Sequence, residues 1–350
     1  MNGFDSILSQ DRPIRTITRF LLNNRIPHSL LFTGIEGVGK RTTALAFAMA
    51  ANCSGAEAAV SEKSLTENHR RSPRINACGV CRSCLKIGSK IHPDVFHVEP
   101  EGSMIKIHHI RDVGRRIAFK PYEARFRFVI IGESHAMNAS AANALLKLLE
   151  EPPDRTVLIL TARETSDLLP TIVSRCRHIR FNPISQKDIE QLLVQNAGIP
   201  AAQAVIPAIM AAGSYSRALT IGRSNWVHRR KWLIAASGLD NPETLPRQSL
   251  SLLLAFSEKL AKNKSMVMDS LEVMKTWLRD LLVYRYTPDR IMHKDLIDLI
   301  KKASVACTAG ELIRKIEAVS RAQKDIADNL NLRLSLDIMM LRLASNEESL

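Results

Sequence analysis

A ten-residue run, GIEGVGKRTT from Gly34 to Thr43, restricts this 350-residue chain more than any other feature. Gly34, Gly39 and Lys40 fit G-x-x-x-x-G-K, with a short apolar stretch before and an Ala-rich stretch after. Glycines at 34, 37 and 39 let the backbone curl until N–H groups face phosphate oxygens. The start of the following helix adds partial positive charge, and Lys40 would offset the β- and γ-phosphates. The plain alternative is a Gly-rich turn with no ligand. A strand before and a helix after favour the phosphate loop.

The chain around this loop reads as alternating strands and helices. Buried parallel strands are expected at Ser29–Gly34, Val95–Val98, Phe128–Gly132, Thr156–Thr161 and His178–Phe181, each a short apolar run between turn residues. Helices are expected at Arg41–Asn52, Ile107–Ala118 and Ser140–Glu150, the last stopped by Pro152-Pro153. The pattern implies an α/β domain over 1–183 with a parallel sheet covered on both faces. Residues 54–77 are polar and aperiodic and read as a disordered surface insertion. After Pro183 the strand signals fade. Ser185 caps a helix, 184–240 forms a small helical domain, two prolines near 241–247 mark a linker, and 245–345 forms an all-helical bundle.

Two positions depart from a working nucleotide site. Mg²⁺ is held by a Ser or Thr directly after the loop lysine, and here that residue is Arg41. Thr42 comes one residue later, about 100° round the helix. The strand Phe128–Ile131 should end in an acid that holds the metal, and Gly132 stands there instead, followed by Glu133. Glu133 retains the means to polarise a water. The loop keeps its phosphate cradle and loses its hold on the metal, which leaves nucleotide binding open and argues against hydrolysis.

Cys78, Cys81 and Cys84 follow C-x₂-C-x₂-C, a spacing that brings three thiolates round one tetrahedral ion. Cys53, at the end of the helix after the loop, is the best fourth ligand, and His92 is the second choice. A fully thiolate shell leaves no open position, so such a zinc is structural. Arg175, in Ser174-Arg175-Cys176, sits in a turn before the last strand, and Arg217 begins a helical stretch after Gly213-Ser214.

The formal charge of +14 points to a polyanionic partner, nucleic acid first. Basic residues cluster at Arg111, Arg115, Arg116, Lys120, Arg125 and Arg127, and again at Arg229, Arg230 and Lys231, either along a DNA path or on a solvated face. The first residues lack a signal peptide pattern and no apolar run is long enough to span a membrane, so a cytoplasmic protein is expected.

In order along the chain, Pro27–Gly34, the cysteine cluster, His92-Pro93-Asp94, Asn143–Pro153 and Leu169–Cys176 resemble the gamma/tau and delta-prime AAA+ family of bacterial DNA polymerase III clamp loaders. The resemblance covers the first ~220 residues well and the bundle only by length and helicity. It implies an AAA+ P-loop domain with a zinc module, a helical lid and a C-terminal collar domain. It implies that Arg175 is an arginine finger acting in trans on a neighbour's ATP, and that Cys53, Cys78, Cys81 and Cys84 bind Zn²⁺. Thr161 and Arg217 fall on sensor positions of the nucleotide site. The implied partners are gamma/tau and delta subunits in a hetero-pentamer, the sliding clamp and primed DNA. The stretch between Cys53 and Cys78 is longer than the family usually shows. Arg41 and Gly132 favour the delta-prime branch, with no catalysis of its own. Two other readings stand beside this one. An active gamma/tau-like or DNA-repair ATPase would hydrolyse ATP alone, and a zinc-dependent nucleic-acid binder would bind DNA tightly without partners.

Overall fold

The computed structural model describes residues 3–55, 76–223, 226–240, 250–262, 264–328 and 330–345. Most of the insertion expected at 54–77, and all of the linker expected at 241–247, lie outside the described residues. The chain divides into two compact units, 1–219 and 220–350.

The first unit begins with helix α1 (Asp11–Leu22), strand β1 (Ser29–Thr33) and helix α2 (Lys40–Ala51). There follow α3 (Arg82–Gly88), β2 (Val95–Val98), α4 (Ile107–Ile117), β3 (Arg127–Ile131), α5 (Ala139–Glu150) and β4 (Thr156–Ala162). A short α6 (Pro170–Val173), β5 (Arg177–Arg180), α7 (Gln186–Ala197), α8 (Ala201–Met210) and α9 (Tyr215–Arg223) complete this half of the chain. The strands form one parallel sheet in the order β2-β3-β4-β1-β5. The expected strands all occur, within a residue or so at either end. The helix expected after Pro183 starts where its cap was read, with the Ser185 hydroxyl accepting from the Asp188 N–H at 3.1 Å.

Successive side chains of a strand point to opposite faces, and the two cores follow that alternation. Leu30, Phe32, Phe128, Ile130, Val157 and Ile159 pack on the face that carries α2. Leu31, Val129, Ile131, Leu158 and Leu160 pack on the face that carries α4 and α5. Phe47 of α2 meets Phe128 edge-on at 5.3 Å between ring centres. Strands buried on both faces must be apolar throughout, which is why these runs show no polar alternation.

A buried polar cluster fixes the approach to β3. Asp94, 2% exposed, accepts from the N–H groups of Tyr122 and Glu123 at 2.8 Å and of Ala124 at 2.9 Å. Arg127 lies beside it at 3.7 Å and donates to the carbonyls of Ile117 and Phe119. Burial pushes the Asp94 carboxyl up, but those three donors and Arg127 outweigh it and hold it below the usual carboxylate range. Arg127 therefore does not belong to the exposed basic group of the sequence reading. Its charge is committed to the interior.

Every element of the second unit among the described residues is helical: α10 (Trp226–Ala236), α11 (Leu250–Ala261), α12 (Lys264–Tyr284), α13 (Ile297–Val305), α14 (Ala309–Ala327) and α15 (Leu332–Ala344), with two short 3₁₀ turns. Helix α12 is central, and its fully buried Trp277 donates from Nε1 to the Leu239 carbonyl at 2.9 Å. Asp280 accepts from the His293 N–H at 2.7 Å and faces its Nδ1 at 2.8 Å, tying the turn after α12 to the helix. Arg230 is fully buried and paired with Asp295, while Arg229 donates to Ser270 at 3.3 Å. These two arginines are structural, which corrects their reading as part of a surface patch.

Replacing Asp94 with Ala strands a buried guanidinium, and the expected cost is about 3–5 kcal/mol. A fall in thermal midpoint measures it. Because the folded carboxyl lies below its ordinary value, the wild-type contribution is full above about pH 3.9 and fades as pH drops through the lower folded value. An Asp94→Ala midpoint equal to wild type at neutral pH would contradict this account.

Candidate nucleotide cradle and cysteine cluster

Parallel strands deliver their carboxyl ends to one edge, and the loop after β1 lies there. The loop runs from Gly34 to Lys40, with Gly39 in the left-handed region at φ 95° capping α2. Gly37 also has positive φ, 76°, and any Cβ there would run into the Ser214 and Ser216 hydroxyls. Its carbonyl accepts from the Tyr215 N–H at 3.0 Å, so the start of α9 is fastened to the loop. Arg217 sits in the first turn of α9, its N–H donating to the Ser214 hydroxyl at 3.2 Å. Lys40 folds back on the loop, donating to the Gly34 carbonyl and to that of Ile35 at 2.9 Å. Burial brings its ammonium down to about 8, with Glu36 opposing and Arg163 assisting.

Glu133 follows β3 in a left-handed conformation, φ 47°, and its N–H donates to the Thr161 hydroxyl of β4 at 3.1 Å. Thr161 is 2% exposed and Glu133 is exposed. Thr42 lies in the first turn of α2 and is half-buried. Arg41, in the place of the metal-holding hydroxyl, reaches across to Glu99, 2.5 Å from its Oε1. Glu99 is the residue past the end of β2 and escaped the sequence reading. Its signal was available: an acid directly after a short apolar strand that pairs with β3.

Arg175 lies at the other end of β1 from the loop. The Ser29 hydroxyl donates to its carbonyl at 2.6 Å, and Ser29 begins the strand whose far end leads into Gly34. Its guanidinium is exposed, 2.7 Å from the Glu150 carboxylate and 3.0 Å from the Thr171 carbonyl. The structure thus joins the loop glycines, Lys40, Thr42, Glu133, Thr161 and the α9 start around one edge, and leaves Arg175 apart.

The four cysteines form the second site. Cys53 follows α2, Cys81 caps α3 and Cys84 lies within its first turn. All four sulfur atoms lie within 4.8 Å of one another, with Cys78–Cys84 and Cys53–Cys81 each at 4.0 Å. A tetrahedron of thiolates about 2.3 Å from an ion separates its sulfurs by about 3.8 Å, so the set fits such an ion. Backbone N–H groups point at the sulfurs, Cys78 to Cys53 and Cys81 to Cys78 at 3.3 Å, Cys84 to Cys81 at 3.5 Å. The thiols of Cys78 and Cys81 lie below their ordinary values, while burial pushes those of Cys53 and Cys84 up. Burial alone would raise the Cys81 thiol, yet its donors at Cys84 and Ser54 bring it down to about 6. His92 is no part of this cluster: its Nδ1 accepts from the Asp94 N–H at 3.1 Å and its Nε2 faces Glu123 at 3.6 Å. Cys53 is the fourth member, brought in by the length of α2.

A family profile described as DNA polymerase III, delta subunit, matches residues 9–185, and a second, for the C-terminal part of the delta subunit, matches 228–345. Over 349 residues the chain is 28% identical to DNA polymerase III subunit delta' of Bacillus subtilis, covering 95% of this chain and 96% of that one. It is 29% identical over 218 residues to DNA polymerase III subunit gamma/tau of Mycobacterium tuberculosis, 61% of this chain and only 35% of that one. A solved DNA polymerase III gamma subunit-related protein from Thermotoga maritima aligns over 95% of this chain and 98% of its own, at 18% identity and a TM-score of 0.44. Among the described residues no helix is long and apolar enough to cross a membrane.

The cysteine geometry generates a direct check. Purified under reducing conditions, the chain should retain a divalent ion in equimolar amount by elemental analysis, and the double variant Cys78→Ala, Cys84→Ala should lose it and melt lower. A reduced wild-type chain that holds no divalent ion, or a folded double variant that retains one with an unmoved midpoint, would refute the site.

Proposed function

Because this chain belongs to the DNA polymerase III delta subunit family, with profile matches over 9–185 and 228–345, we propose that it is a delta-prime type clamp-loader subunit that hydrolyses no ATP itself. It works by lending Arg175 and a scaffold to neighbouring subunits. One observation carries the non-hydrolysing part. Arg41 and Gly132 occupy the two positions that hold Mg²⁺ in a working site, and neither carries a suitable ligand. The fold keeps the cradle and lacks the metal grip.

Arg175 supports the transfer of function to a neighbour. It lies at the end of β1 away from this chain's own loop, so it serves no phosphate bound there. Its ion pair with Glu150 is exposed, and exposed pairs contribute about 0–1 kcal/mol. An arginine finger gains ~10³–10⁵ in rate, some 4–7 kcal/mol. Giving up so weak a pair costs little against that lowering of the barrier, so the guanidinium is available to a neighbour's γ-phosphate once subunits meet.

The remaining roles follow the same reading. Zinc holds the cysteine module as a structural ion. Residues 184–240 act as the lid and 245–345 as the collar of a hetero-pentamer with gamma/tau and delta subunits. The sliding clamp and primed DNA are the targets, and Arg111, Arg115, Arg116, Lys120 and Arg125, all exposed, supply phosphate contacts. The competing reading, an active ATPase of its own, requires a metal ligand at 41 or 132.

Two measurements separate these readings. The isolated chain should show no Mg²⁺-dependent ATP turnover above background in a steady-state assay. Arg175→Ala should leave folding and assembly unchanged and lower ATP turnover of the reconstituted complex, by less than a single-site finger's ~10³ because other sites continue. Brisk hydrolysis by the lone chain, or full turnover by the Arg175→Ala complex, would end the respective claim.

A further inference from the structure

The two departures in the nucleotide site meet in one place. Strands β2 and β3 pair in register with Val98 opposite Ile131, so the next residues, Glu99 and Gly132, lie side by side. The Gly132 N–H donates to the Val98 carbonyl at 2.8 Å. A Cβ on Gly132 would stand 2.7 Å from Glu99 Oε2 and 3.1 Å from its Cδ. The Glu99 carboxylate thus fills the space that a side chain at 132 would need. From the other side it is approached by the Arg41 guanidinium at 2.5 Å. Glu99 bridges the two positions that should hold the metal, one on α2 and one after β3. Losses that look independent along the chain share a partner.

Resting on the non-hydrolysing reading above, we propose that Arg41, Glu99 and Gly132 are one coupled replacement for a magnesium site. The Arg41 guanidinium, tethered by Glu99, stands where the fold places the cation, and the 34–40 loop takes a nucleoside diphosphate without Mg²⁺.

The chemistry supports a guanidinium that is held yet not used up. Arg presents five donors in a plane and pairs well with phosphate. Here it touches Glu99 as an ion pair, without an N–H aligned on the buried Oε1. The Glu99 carboxyl is raised from its ordinary value, by burial first, with Glu133 adding to it and Arg41 opposing. A phosphate arriving at the start of α2 would find two cations, Lys40 and Arg41, in successive positions. The divalent ion has no ligand from 41 or 132, and the site has no need of its charge.

The coupling also says what reversal requires. An acid placed at 132 alone would push the Glu99 carboxylate tip aside, a modest steric effect. It would also set two carboxylates about 3 Å apart at a half-buried spot, which is the larger penalty. A serine placed at 41 alone would free Glu99 from its cation and supply only half of a metal site. Mg²⁺ binding should return only when all three positions change together.

The test is a titration of the full chain with a fluorescent ADP analogue, in excess Mg²⁺ and in EDTA. Wild type should bind in both, with affinities within about twofold. The triple variant Arg41→Ser, Glu99→Ala, Gly132→Asp should bind at least about tenfold more tightly with Mg²⁺ than without. Gly132→Asp alone should melt lower and gain no dependence on Mg²⁺. The inference fails if wild type binds only with Mg²⁺, if it binds in neither condition, or if Gly132→Asp alone gains the dependence. It fails equally if a folded triple variant does not. Should the triple variant not fold, the wild-type comparison still decides. Hydrolysis of ATP by the wild-type chain would strike the functional reading itself, whereas metal-dependent binding without turnover would strike only this inference.

Discussion

Parallel strand pairing is the constraint on which the rest of the first unit depends. The order β2-β3-β4-β1-β5, parallel throughout, brings the carboxyl ends of all five strands to one edge. Gly34 after β1, Glu99 after β2, Gly132 and Glu133 after β3 and Thr161 near the end of β4 all arrive there. Ligand sites of open α/β sheets lie at that edge because helices cover both faces and leave only the ends open. The register also determines which residues become neighbours. A slip of one residue between β2 and β3 would send Glu99 to the opposite face and leave Gly132 without a reason to be bare.

On the proposed reading, the same edge explains how a nucleotide fold can outlive its chemistry. The cradle is made of backbone: positive φ at Gly37 and Gly39, a carbonyl bonded to Tyr215, the exposed start of α2. Its shape depends on packing against the sheet and α9, which a change in metal-holding side chains does not disturb. Arg41 and Gly132 therefore stand at these positions without disturbing the fold. In that proposal, what the unit offers other subunits is on its surface, where Arg175 is held by an exposed ion pair at the opposite end of β1.

The cysteine cluster shows a different economy. It lies where a helix after β1, a segment beyond the insertion and a short third helix converge. Three of its members are visible as a spacing because they are close in sequence. The fourth is set by where α2 ends. His92 lies nearer to the triad along the chain than Cys53 does, but its ring is occupied with Asp94 and Glu123. A ligand far away in sequence is chosen by the path of the backbone.

The order of elements, the loop glycines and the cysteine triad were readable from residues alone, because each is a local pattern: an apolar run, a glycine spacing, a cysteine spacing. Arg127 and Arg230 were misread as surface charge, since their burial depends on Asp94 and Asp295, which lie dozens of residues away. Glu99 was missed for the same reason. Its importance comes from a β2–β3 pairing and from a helix that begins almost sixty residues earlier. Local sequence determines what a segment becomes. Only the assembled sheet decides which charges meet, because electrostatic partners are chosen by distance in space and by the water excluded between them.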